Sequence, residues 1–317
     1  MASQTLIFTV CTVAQLPFTK VLGDSLPPNI SFKIGIVDAN RTVFDSRTIS
    51  LNELPMSEIQ SLQQRYDEAS LIAASKPFFA DFFLQTKQYQ TLIYVDPTVF
   101  FIGDIGAIVQ VIKNYDIVLT PRITHKFGKT PYGDEKMFLN TGMYDSGFWA
   151  IRQSDNTLQF LKWWKERLFD RAHFNLCEGM NHEQLWLNYV PIFFKNVLVN
   201  KNIGWNLALH NLHERAVTFS ENEWKVNQTE KLIFVNFREC LSFPKALNTT
   251  IQASGFDSIR KIYLANLTQY ISRPPSIFSV RSALFPQISP WKRFLKQQLQ
   301  SIIDSISHFP LYHKITK

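Results

Sequence analysis

Thr91-Leu-Ile-Tyr-Val-Asp96-Pro97-Thr98-Val-Phe-Phe-Ile-Gly103-Asp104-Ile105 is the stretch on which the fold turns. The apolar run Leu92–Val95 ends in a single carboxylate, Asp96. Pro97 and Thr98 follow, and a second apolar run, Val99–Ile102, closes on Gly103-Asp104. Four apolar residues bounded by Asp-Pro predict a buried central strand that stops abruptly. Asp96 then stands at the strand's carboxyl end, where open α/β sheets form their ligand crevice. An Asp-Pro pair taken alone also reads as a turn that caps the next segment.

Toward the amino end, Leu6–Cys11 is a β-rich apolar run, followed by a helix through Val21 to Ser25 that Pro27-Pro28 breaks. Phe32–Val37 is a second strand, closed by Asp38-Ala39-Asn40. Two strands joined through a helix make a βαβ unit and predict an α/β fold. Asp38 sits where an acid closing the second strand accepts a hydrogen bond from a base or ribose; an Asp-x-Asn turn is the other reading. Pro55 to Ala74 has helical composition, Lys76-Pro77 marks a break, and Phe78–Leu84 is apolar enough to be a core-packed helix.

Toward the carboxyl end, Ala107–Lys113 predicts a helix and Ile117–Thr120 a fourth strand. Pro121–Phe138 is basic and punctuated by Gly and Pro, a long loop of the kind that becomes a lid or binding loop, with His125, Lys126 and Lys129 available to phosphates. Asn140 to Arg152 carries two glycines, which let a backbone approach a ligand or a neighbouring strand. Asn156–Asp170 is an amphipathic helix, and Asn181–Val190 predicts another, with Asn181 and Glu183 as its cap and first turn. Gly204–Arg215 crowds polar and aromatic groups into one run without helical or strand periodicity, a pattern that marks sites. His182, His210 and His213 have no metal-ligand spacing.

Three further blocks fall in order around the Asp96 strand: Lys76-Pro77, Gly142-Met-Tyr-Asp-Ser-Gly147-Phe148, and Glu183-Gln184-Leu-Trp186-Leu187. Gly204-Trp205-Asn206-Leu207-Ala208 and Asn211-Leu212-His213-Glu214-Arg215 complete the series. Over about residues 5 to 260 this order resembles the bacterial nucleotide-diphospho-sugar transferases of the GT-A fold. Their motifs read YLDPDI, GxYNLGF, DQxWLDLVP and GYNVAYWNLHER. The resemblance implies a Rossmann-like mixed sheet flanked by helices over residues 1–260, with a helical extension over 261–317. It also implies a glycosyltransferase using a UDP- or GDP-type sugar donor, with a non-catalytic sugar-nucleotide-binding homologue as the alternative.

By block position the resemblance implies Asp96 and Glu183 as catalytic carboxylates. It puts Thr9, Thr12, Asp38, Lys76, Asp96, Thr98, Asp145, Asn206 and Arg215 on the donor side, and Gln184, Trp205, His213 and Glu214 on the acceptor side. Two departures are linked. Thr98 replaces the second Asp of the strand-end motif, and Asn236, closing the late strand Leu232–Phe237, stands where a His would complete a metal site. Asp96 is then the one carboxylate left to an Mg²⁺ or Mn²⁺ ion, and such ions prefer several oxygen ligands. The cations that would instead meet the diphosphate are Lys76, Arg152 and Arg215, followed by Lys126 and Lys129.

The whole composition agrees. With 317 residues, 45% hydrophobic and 19% charged, the chain predicts a globular protein with a sizeable core. A formal net charge of +7 favours anionic partners such as nucleotide phosphates or anionic lipid surfaces. No Lys/Arg run interleaved with aromatics points to nucleic acid. Three cysteines without a CxxC predict a reducing, cytoplasmic setting. The first ten residues carry no Lys or Arg before their apolar run, so they do not predict a signal peptide. Apolar residues at 291, 294, 295, 299, 302, 303 and 306 predict an amphipathic helix, with Lys292, Arg293 and Lys296 beside it. Residues 288–306 could thus lie on a membrane surface bearing a lipid-linked acceptor, or pack on protein.

Overall fold

The computed structural model describes residues 4–38, 46–126, 135–175, 178–238 and 254–271, together with 291, 295, 298, 299, 302 and 303. The chain divides into two compact units, Met1–Val280 and Arg281–Lys317.

In the first unit, seven strands form one mixed sheet. Its strands are β1 (Thr5–Cys11), β2 (Ser31–Ile36), β3 (Thr48–Ser50), β4 (Thr91–Val95), β6 (Ile117–Pro121), β7 (Tyr144–Arg152) and the short strand Val197–Val199. From one edge the order is Val197–Val199, β6, β7, β4, β1, β2, β3. The β1, β2, β3 and β4 pairings are parallel, and β7 alone runs antiparallel between β4 and β6. The fold class read from the sequence, a mixed α/β sheet flanked by helices, is the one observed.

Alternation along the central strands divides the core into two chemistries. Ile7, Ile93, Val95, Val118 and Ala150 point to one face, where they pack with Ile108 and Ile112 of α4 (Gly106–Ile112) and Leu22 of α1 (Leu16–Asp24). Phe8, Tyr94 and Trp149 point to the other. There Phe8 meets Phe83 of α3 (Glu68–Gln85), and Trp149 meets Trp164 of α6 (Asp155–Leu168) edge-on.

Two sequence expectations are corrected here. Lys76-Pro77 does not separate two helices: α3 is one helix of 18 residues with Pro77 inside it. Asp67 caps its start by accepting from the Ser70 amide, and nearly every residue from Ser70 to Leu84 is buried. Burial on several sides outweighs the one backbone hydrogen bond that proline removes. Asn181–Val190 is not a helix from its start either. Met180-Asn181 pairs with Phe174-Asn175, His182 takes φ +49°, and a 3₁₀ turn begins only at Leu185. A left-handed residue cannot continue a right-handed helix.

The predicted loop Pro121–Phe138 is partly regular. Pro121 closes β6, α5 (Lys136–Thr141) starts before Phe138, and Lys129 lies outside the described residues. Near the carboxyl end of the first unit, the helix Phe256–Thr268 buries Ile259, Tyr263 and Leu267 against Phe18 and Val21 of α1. No helix among the described residues is long and apolar enough to cross a membrane.

Candidate functional site

Asp96-Pro97-Thr98 is the point at which the chain leaves one sheet for another. β4 ends at Val95, and Val99–Phe101, β5, belongs to a second small sheet with Phe234–Asn236 and Leu207–Ala208. Because β7 runs antiparallel to β4, its first residues lie beside the end of β4, and the Asp96 amide donates to the Gly147 carbonyl at 2.9 Å. Asn236, opposite Val99 in the second sheet, arrives from the other side. A Cβ on Gly147 would fall 2.6 Å from Asp96 Oδ2, 3.0 Å from Asp145 Oδ1 and 2.5 Å from Asn236 Nδ2. The glycine is what lets two carboxylates and an amide gather at one point.

From α3, the Lys76 ammonium reaches into the same place. It donates to Glu183 Oε1 in a short contact, to the Ser146 carbonyl at 3.1 Å and to Asp96 Oδ1 at 3.5 Å, and it lies 4.4 Å from the centre of the Tyr94 ring. The Tyr94 hydroxyl donates to Asp96 Oδ1 at 3.0 Å. Burial alone would push the Asp96 carboxyl up, but Lys76, then Arg238 and the Tyr94 hydroxyl outweigh it and hold it below its ordinary value. Glu183 follows the same balance: burial raises it, Lys76, then His182 and Arg238 together outweigh that, and the net direction is down. Both carboxylates are therefore ionised, and Tyr94, buried next to them, is held protonated.

The residues at the metal-ligand positions are engaged, Thr98 with Asn236 and Asp96 with Lys76 and Arg238. Thr98 Oγ1 donates to Asn236 Oδ1 at 3.1 Å, the Arg238 amide donates to the same oxygen at 3.0 Å, and Arg238 Nη1 donates to Asp96 Oδ2 at 3.4 Å. A hard divalent ion needs several free carboxylate or carbonyl oxygens turned to one point. Both Asp96 oxygens already receive cationic donors, and no group of three His, Cys, Asp or Glu suited to a metal occurs among the described residues. This donor set does not fit Mg²⁺ or Mn²⁺.

Deeper in the site, Asn206, at φ +56°, donates to Asp145 Oδ2 at 2.7 Å, and its own Oδ1 is buried without a hydrogen-bond partner among the described residues. His210 Nε2 stands 3.8 Å from the same Asp145 oxygen. Gln184 accepts from the Ser146 amide and hydroxyl at 3.4 Å, which ties the Glu183 segment to β7.

Other residues named from the sequence lie elsewhere. Arg215 is buried and donates to the carbonyls of Ile203, Trp205 and Asn206, so it braces the Gly204–Arg215 run. Glu214 accepts from the amides of Thr124 and His125 and anchors that loop. Trp205 packs edge-on against Phe148 in the core, and burial lowers the half-buried His213. Arg152 pairs with Asp116, at the opposite end of β7 from Gly147. Lys126 is exposed on the loop.

At the amino-terminal side, Asp38 Oδ1 accepts from the Val13 amide at 2.9 Å just beyond β1. Glu68 stands near it, and burial, then the Asp38 charge, raise its carboxyl. Thr9 and Thr12 are fully buried, Thr12 directly after β1.

Two cavities meet at this cluster. One, of about 280 Å³, is bounded by Val10, Gln15, Ala73, Lys76, Asp96 and Thr98; the other, of about 300 Å³, by Arg122, Met137, Thr141, Ser146, Asn181 and Gln184. His182, Glu183 and Arg238 border both. The sequence reading missed Arg238 and the place of His182. A usable signal existed for the first: Arg238 follows Asn236 by two positions, the spacing that returns a side chain to the same face of a strand.

No family model matches the chain. It is 23% identical to the uncharacterised protein YfnF of Bacillus subtilis over 208 residues, 63% of this chain and 68% of that protein. Its structural neighbours include glycosyltransferases. One is described as involved in glycosylation of the major capsid of PBCV-1, at TM-score 0.45 and 8% identity over 80% of this chain and 98% of that one. Another is the galactosyltransferase LgtC in complex with donor and acceptor sugar analogues, at 0.45 and 11% over 86% and 98%. A third is GlyE of Streptococcus pneumoniae, at 0.45 and 10% over 88% and 67%.

Proposed function

We propose that this chain is a GT-A-type glycosyltransferase that moves a sugar from a UDP- or GDP-type donor to a glycan or lipid-linked acceptor without a divalent metal. The observation that carries it is the buried cluster of Lys76, Asp96 and Glu183 at the end of β4, set between two cavities. Each cavity is near the lower bound of roughly 300 Å³ for small-molecule sites, and the pair suits a donor on the Lys76 side and an acceptor on the Gln184 side.

In the reaction, the bond from the anomeric carbon to the diphosphate breaks, and its electron pair leaves on the diphosphate. The acceptor hydroxyl oxygen forms the new bond, and its proton passes to water. Glu183 is ionised and paired with Lys76, so it is a weak proton acceptor. Its carboxylate suits holding the sugar and countering the positive charge that develops at the anomeric carbon. Asp38 and the end of β1 take the nucleoside, and Lys76 fixes both carboxylates in place.

The test is turnover by the full chain against a panel of UDP- and GDP-sugars in excess EDTA, read as release of nucleoside diphosphate. Release from one donor is expected. Binding without turnover would instead identify a non-catalytic homologue. Release abolished by EDTA and restored by Mn²⁺ would refute the metal-free reaction.

A further inference from the structure

Resting on the transferase reading, we propose that Arg238 is the cation that receives the donor's diphosphate, with Asp96 as its anchor. In this chain a fixed guanidinium does the work that Asp96 would otherwise give to a metal ion.

The inference follows from which cation has donors to spare. The Lys76 ammonium has three N–H groups, and Glu183, Asp96 and the Ser146 carbonyl take them. Arg215 is spent on main-chain carbonyls and Arg152 on Asp116. Arg122 donates to the Thr141 hydroxyl and stacks on Phe138. Arg238 differs. Among the described residues its guanidinium makes one hydrogen bond, to Asp96, while its side chain is 56% exposed. It borders both large cavities and the small one between Asp145, His210 and Asn236.

Its placement agrees with the local chemistry. The Arg238 amide, the Thr98 hydroxyl and the Asn236 carbonyl oxygen are hydrogen-bonded together, so the two departures from an Asp-x-Asp site now position an arginine. A guanidinium keeps its charge at every working pH and offers parallel donors that match two oxygens of a phosphate. Asp96, held ionised, orients it without competing for all of its N–H groups.

Calorimetry of the full chain in EDTA tests this, with inorganic pyrophosphate, UDP, GDP, uridine and guanosine as probes. Wild type is expected to bind pyrophosphate and at least one nucleoside diphosphate. Arg238→Gln should weaken both about 10- to 100-fold, leave nucleoside binding unchanged, and melt as wild type does. Arg238→Lys, which keeps the charge but loses the fork, should fall between. Pyrophosphate bound equally by Arg238→Gln and wild type, or bound by wild type only when Mg²⁺ or Mn²⁺ is supplied, would overturn the proposal. Pyrophosphate binding that depends on Arg238, with nucleoside diphosphates bound no more tightly, would support the anion site and count against the transferase reading.

Discussion

Lys76 and Glu183 lie 107 residues apart in the chain and meet in the interior, each with a side chain only 3% exposed. Removing one member of such a pair leaves a charge buried without its partner, a loss of about 3–5 kcal/mol. Lys76→Met leaves buried Glu183 without its partner and Asp96 with Arg238 as its one remaining cation, whereas Glu183→Gln leaves the lysine with Asp96. Urea denaturation should therefore show Lys76→Met as the more destabilised by at least about 1 kcal/mol. A Lys76→Met protein as stable as wild type would contradict the buried ion pair.

The same pair fixes a pH dependence. The Glu183 carboxyl titrates below its ordinary value of 4.5: burial raises it, and Lys76, His182 and Arg238 together lower it past that. A depressed folded-state pKa contributes stability above the unfolded value and loses it as pH falls toward the folded one. The stability difference between wild type and Glu183→Gln should thus be constant from pH 7 to about 5 and shrink in more acid solution. A difference that widened on acidification would reverse the sign argued here.

Gly147 tests the convergence itself. A methyl at this position meets Asn236 Nδ2 at 2.5 Å and Asp96 Oδ2 at 2.6 Å, so Gly147→Ala must displace the two side chains that flank Arg238. Pyrophosphate affinity should fall about 10-fold or more, with a melting shift of only a few degrees because the displaced groups are side chains. Gly179→Ala is the contrast. At φ +67°, with nothing within 4 Å, it should cost about 1 kcal/mol of backbone strain and leave binding alone. Equal binding by the Gly147 and Gly179 variants would remove Gly147 from the site.

Much of this was legible in the sequence because strands announce themselves. Leu6–Cys11, Phe32–Val37 and Leu92–Val95 are apolar runs ended by polar groups, and they fall on the strands Thr5–Cys11, Ser31–Ile36 and Thr91–Val95. The order of blocks implied Lys76, Asp96 and Glu183 as site residues, each by its position alone. Their mutual ion pairing was not legible, because contacts across 20 and 107 residues depend on which way β7 runs. Arg215 shows the converse limit. A lone arginine in a polar run serves backbone carbonyls as readily as phosphates, and only its three carbonyl contacts separate the two. Pro77 misled for a different reason: a break predicted from local propensity loses to burial along a helix as enclosed as α3.

The second unit carries the last prediction. Trp291, Leu295, Leu299, Ile302 and Ile303 are helical and 42–65% exposed. By sequence spacing alone, at 100° per residue, these five positions share an arc of roughly 120°. Residues 281–317 contain Arg281, Lys292, Arg293, Lys296, Lys314 and Lys317 against the single acid Asp304. An apolar stripe in so basic a segment suits the interface of an anionic bilayer, where apolar burial and charge attraction add. The full chain should co-sediment with vesicles containing phosphatidylglycerol and bind pure phosphatidylcholine vesicles less. Leu299→Glu with Ile302→Glu should abolish the binding while leaving pyrophosphate affinity intact. If the double variant sediments as wild type does, the stripe packs on protein instead, and a lipid-linked acceptor loses its support.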